Sequence, residues 1–152
     1  MRRLIGVCVA GAVLMLPAFV QQAGLLAQAP QKATIEGDVA LLNYAIRPDK
    51  TADYEQFLGK LKEALTKSTA PEAKQQLAAW KVVKMAKPLP DGNILYTHVV
   101  TPVAGADYNF LQLMYAVFTD PTEQKAIYDL YRGALAGNLG MQTGSLAVDL
   151  SK

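Results

Sequence analysis

The stretch "LPDGN" (89–93) constrains the topology of this chain more than any other five residues. It joins two β-rich runs, "WKVVKMAK" (80–87) and "NILYTHVVT" (93–101). Pro90 presets φ, Asp91 can bond its own backbone, and Gly92 accepts positive φ, so the chain must reverse here. Strands joined by so short a link pair antiparallel. A type I turn followed by a glycine bulge would set Leu89 against Asn93. That register places His98 opposite Lys84 and Trp80 beside Pro102, with the two rings roughly 13 Å apart along the strands. A loop of two or four residues would instead put His98 and Trp80 on opposite faces.

The hairpin sits inside a longer pattern. "VALLNYAI" (39–46) is apolar at nearly every position, as expected of a strand covered on both faces. Pro48 excludes Arg47 from a helix, and Asp49 or Thr51 can cap the next one. Residues 52–67 carry Tyr54, Phe57, Leu58, Leu61, Ala64 and Leu65 on one stripe, which predicts an amphipathic helix. A second helical piece is expected over 68–79, with Thr69 and Glu72 at capping-box spacing and Pro71 in the first turn. Residues 108–118 read as an apolar helix capped by Asp107. Asp120, Pro121 and Glu123 start another, which Gly137 or Gly140 would end. The alternation of Leu146, Val148 and Leu150 predicts a final strand over 144–151.

The order β-α-β-β-α-β is the split βαβ, ferredoxin-like unit. The fold class is therefore α+β: one four-stranded antiparallel sheet with helices on one face. The other face keeps many apolar residues. A large apolar patch implies association, so the expectation is a homodimer whose two sheets close into an α+β barrel.

The first residues belong to something else. Arg2 and Arg3 precede an uncharged apolar run, Leu4–Val20, and small residues follow, with Ala27 and Ala29 in an A-x-A arrangement. This is the layout of a secretory signal peptide. Pro30 would awkwardly follow a cut after Ala29, so cleavage after Ala27 is favoured. The competing reading is an uncleaved anchor, in which case the protein meets the membrane through this segment. Seventeen residues of helix span roughly 26 Å, a little short of the ~30 Å hydrocarbon core, and Pro17 interrupts them. The expected organisation is a signal peptide at 1–27, a flexible polar tail at 28–37 and a single domain at 38–152, exported to the periplasm or beyond.

Removing residues 1–27 takes Arg2 and Arg3 from the 15 basic residues and leaves 13 against 13 acidic ones, a net charge of zero. No basic footprint for nucleic acid remains. Cys8, the only cysteine, leaves as well, so the exported chain has no disulfide and must rely on its core.

The segments "NYAIRPDKTADYEQFLGKLKEAL" and the strand–helix–strand tail resemble the dimeric α+β barrel superfamily, whose members include antibiotic-biosynthesis-monooxygenase-like and NIPSNAP-like domains. "LPDGNILYTHVVTPVAGADYNFLQLMYAVF" looks more like a family of exported bacterial proteins of unknown function. The resemblance spans roughly residues 38–150 and implies the fold and the dimer. It leaves activity open, because one fold hosts many functions. Haem-degrading members use an Asn, a Trp and a His; this chain has Asn43, Trp80 and His98. In those enzymes the Trp and His lie on helices, whereas here both fall on strands, so haem degradation is not carried over and no cofactor is expected.

His98 is the lone histidine. With Lys84 opposite, it should resist protonation. Its bland reading is a hydrogen-bonded packing residue. Its functional reading is a ligand site with Tyr96, Tyr44, Asn43 and Lys84, the strand tyrosines joining His98 or Asn43 according to strand parity. The pattern offers no second His, no Cys and no carboxylate cluster at metal-ligand spacing. The expected function is a non-catalytic homodimeric domain binding a small apolar molecule or an envelope protein. The alternative is a cofactor-independent oxygenase acting on an aromatic substrate.

Overall fold

The computed structural model describes residues 31–150. The signal segment expected at 1–27 lies outside the described residues. Strands β1 (Val39–Ile46), β2 (Trp80–Lys84), β3 (Ile94–Val100) and β4 (Leu135–Gly144) form one antiparallel sheet in the order β2-β3-β1-β4. Helices α1 (Thr51–Lys67), α2 (Ala73–Ala79), α3 (Phe110–Tyr115) and α4 (Pro121–Ala134) fill the connections. This is the α+β, ferredoxin-like arrangement that the pattern predicts, with β1 and β3 central.

Helix α1 follows its stripe: Tyr54, Phe57, Leu61, Ala64 and Leu65 are buried. They pack against Ala40, Leu42, Tyr44 and Ile46 of β1 and Tyr96 and Val100 of β3 in one core. Strand alternation turns these residues to the helices and sends Leu41, Asn43, Ala45, Leu95, Thr97 and Val99 to the other face. Helix α4 starts as expected, the Asp120 carboxylate accepting from the Glu123 N–H at 2.9 Å with Pro121 in the first turn.

Three expectations are corrected. The final strand is Leu135–Gly144, not 144–151, and α4 ends at Ala134 without waiting for Gly137 or Gly140. Strand β4 is an edge strand whose side chains are almost all exposed, so it carries no hydrophobic alternation to read. Two register shifts against β1 accommodate its glycines, and at one of them the Asn138 side chain accepts from the Gly140 N–H at 2.9 Å. The cap of α3 is Asn109, which accepts from the Gln112 N–H; Asp107 instead accepts from Asn109 and from Ala33, each at 2.9 Å. Residues of the expected tail are tied here: Tyr108 N–H donates to the Ala33 carbonyl, and the Lys32 ammonium to that of Gly105.

The third correction concerns the hairpin register. Leu89 does pair with Asn93, its N–H donating to the Asn93 carbonyl at 2.8 Å. By Met85 and Leu95, however, residues 86–88 on one arm stand against residue 94 alone on the other. Pro88 has no N–H to offer the ladder, and the arm bulges out. The pairing slips by two residues, so His98 lies opposite Val82, Lys84 opposite Tyr96 and Trp80 opposite Val100.

Candidate functional site

That slip of two keeps the parity and brings Trp80 diagonally next to His98, within reach of a large ring. The Trp80 indole Nε1–H donates to His98 Nδ1 at 3.0 Å. His98 Nε2 meets the Tyr54 hydroxyl at 2.8 Å. The rings of Phe110 (5.2 Å, nearly parallel) and Tyr44 (5.3 Å, edge-on) enclose the imidazole. His98 is fully buried.

The hydrogen inventory fixes its state. An indole N–H can only donate, so Nδ1 carries no proton. A neutral imidazole then bears its proton on Nε2 and donates it to the Tyr54 oxygen. Burial pushes the His98 pKa down to about 4. The expected repulsion from Lys84 has no part in this, because Lys84 is turned to Glu55, 2.9 Å away. Both ring nitrogens are committed to protein partners and the ring sees no solvent. The arrangement holds β2, β3 and α1 together; it presents neither a free base nor a free ligand atom.

The other expected site residues separate into two groups. Tyr96 and Tyr44 share the helix-side face with His98. Tyr96 is buried, and its hydroxyl donates to Glu55 at 2.6 Å, the same carboxylate oxygen that Lys84 engages. These contacts hold the Glu55 carboxyl below its ordinary range, the Tyr96 bond first and the Lys84 bond second. Asn43 lies on the opposite face, where its side-chain oxygen accepts from Thr97 Oγ1 at 2.8 Å. His98 therefore has Tyr44, Tyr54, Trp80 and Phe110 as neighbours, and Asn43 is not among them. Tyr54 was legible only as a helix-core residue, and nothing in the sequence linked it to His98.

Two other features offer chemistry. A groove of about 360 Å³ runs between α1, α2 and β2, lined by Leu58, Leu61, Leu65, Leu77, Trp80 and Val82, with Lys62 at its rim. The sheet face turned away from the helices presents the half-buried Leu41, Leu95 and Val99 around the buried Ala45, with Val83 (43 % exposed) beside them on β2. Its central polar pair, Asn43 and Thr97, is joined by that hydrogen bond. Among the described residues, no group of three or more His, Cys, Asp or Glu converges as a metal site, and no helix is long and apolar enough to cross a membrane.

Comparison with known proteins returns no match to a protein-family model, to a curated protein or to a solved structure.

Proposed function

We propose that this protein is an exported, non-catalytic interaction domain of the dimeric α+β barrel type, whose two copies meet through the sheet faces turned away from the helices. The observation that carries the reading is that face itself. The half-buried Leu41, Leu95 and Val99 form its centre, and a hydrogen bond joins its central polar side chains, Asn43 and Thr97. Covering such a face removes apolar area from water, and the Asn43–Thr97 bond lowers the cost of burying its central polar groups. Export rests on the layout of residues 1–27.

The oxygenase alternative is disfavoured by His98. A general base must reach a substrate proton, and this imidazole is sealed, neutral and bonded at both nitrogens. A second reading, a small apolar ligand, is favoured by the groove beside Trp80, whose 360 Å³ falls in the usual range for ligand pockets.

Native mass spectrometry of the purified protein addresses both readings. A two-chain mass supports the dimer, and an added mass of a few hundred daltons that is lost from a Val82→Arg variant, at the exposed wall of the groove, supports the groove. A one-chain mass at every concentration tested overturns the dimer.

A further inference from the structure

A third cleft, of about 210 Å³, opens between β1 and the segments that hold α3 and α4. Its walls are aromatic: Tyr44, Tyr108, Phe110 and Tyr131. Phe110 lies 5.6 Å from Tyr44 and 6.2 Å from Tyr131, ring centre to ring centre. Tyr108 is already engaged, its hydroxyl accepting from the Val103 N–H at 2.8 Å. Tyr44 is not engaged. It is only 7 % exposed, yet no described residue bonds its hydroxyl. Among the described residues no sealed side-chain polar atom lacks a partner, so this hydroxyl opens to the cleft that its ring lines. Tyr131, half-buried, lines the same cleft, and among the described residues its hydroxyl has no hydrogen-bond partner. The two register shifts of β4 flank Tyr44 and Ala45. Bulges of this kind re-aim side chains at the edge of a sheet.

The Tyr44 hydroxyl, open to the cleft while its ring is buried, is placed to bond a guest's oxygen in exchange for solvent. We propose that this cleft binds a neutral single-ring aromatic molecule bearing one hydroxyl or carbonyl oxygen, with the ring against Phe110 and the oxygen between the Tyr44 and Tyr131 hydroxyls. Size supports one ring and no more: a cavity of roughly 150 Å³ accepts benzene, and this cleft exceeds that by little more than a substituent. Charge supports a neutral guest. Burial raises the pKa of both tyrosines; Tyr131 further opposes ionisation of Tyr44, while Arg132 acts in the opposite direction on Tyr131. The described cleft lining contains no Lys, Arg, Asp or Glu to pair with an ion. The site lies on the helix side of the sheet and does not depend on the dimer.

The test is an NMR titration of the purified protein with 4-methylphenol, with toluene as the control that lacks the oxygen. Resonances of Tyr44, Phe110 and Leu111 should shift with 4-methylphenol, and toluene should bind more weakly. Tyr44→Phe should weaken 4-methylphenol roughly three- to ten-fold, the worth of one hydrogen bond, and leave toluene unchanged. The variant should melt no lower than the parent, because it deletes a hydroxyl that bonds no described residue. Equal binding of both compounds, no binding of either, or a lower melting temperature in Tyr44→Phe would overturn the proposal.

Discussion

The Trp80 indole donates to His98 Nδ1 at 3.0 Å across a diagonal of the β2–β3 pair. A proton cannot join His98 without displacing that donor, because the other nitrogen already carries one. The only histidine of the chain is thereby held neutral in the core.

This makes stability depend on pH in a defined window. The folded pKa is about 4 and the ordinary value is 6.5, so the unfolded chain takes up the proton first. The contribution is complete above pH 6.5, falls as pH drops below that value, and ends near pH 4 after a loss of about 3 kcal/mol. Glu55, Glu63 and Asp91, held below their ordinary ranges by their hydrogen-bonded partners, add their own loss as pH falls through the ordinary carboxylate range, overlapping only the acid end of this window. Urea unfolding between pH 7 and 4.5 should show the decline. NMR of the imidazole carbons should show a neutral ring at pH 5, and Trp80→Phe, which frees Nδ1, should raise the midpoint.

Two tyrosine-to-phenylalanine changes should differ sharply. Tyr54→Phe removes the acceptor of a buried imidazole N–H and should cost about 1–3 kcal/mol. Tyr96→Phe removes a bond to Glu55, whose side chain is 52 % exposed, and water can replace it; the cost should stay below about 1 kcal/mol. Chemical denaturation of the two variants side by side checks this, and equal costs would remove the buried network as the stronger tie.

Glycine substitutions should change sign with backbone conformation. A methyl group at either Gly59, inside α1, or Gly140, on β4, meets nothing within 4 Å. Gly59→Ala should stabilise by about 0.5–1 kcal/mol through helix propensity. Gly140 has φ +92°, so Gly140→Ala should destabilise by about 1–2 kcal/mol with no clash at all. Melting temperatures of the two variants give the comparison directly.

What could be read in advance was whatever burial imprints on the pattern. The stripe of α1, the all-apolar β1 and the Asp120–Pro121 helix start each carried their own signal, and the topology followed from their order. Strand β4 carried none. Its pairing with β1 is a backbone affair at an exposed edge, while Leu146 and Val148, which do alternate, lie beyond it, each 65 % exposed. The His98 site failed for a different reason. The turn favoured the parity observed but left the opposite one open, and the bulge at residues 86–88 moved Trp80 two residues closer than a regular hairpin allows. Leu89 and Asn93 paired as expected, and the error arose only on the far side of Pro88.

The central claim, that two copies meet through the face holding Leu41, Leu95 and Val99, is tested most directly by light scattering on the protein and its Val99→Lys variant. Val99 faces away from the core, so the variant should keep the circular dichroism of the parent. The account expects a mass of two chains for the parent and one for Val99→Lys. A parent mass of one chain, or a variant that remains a dimer, would contradict it.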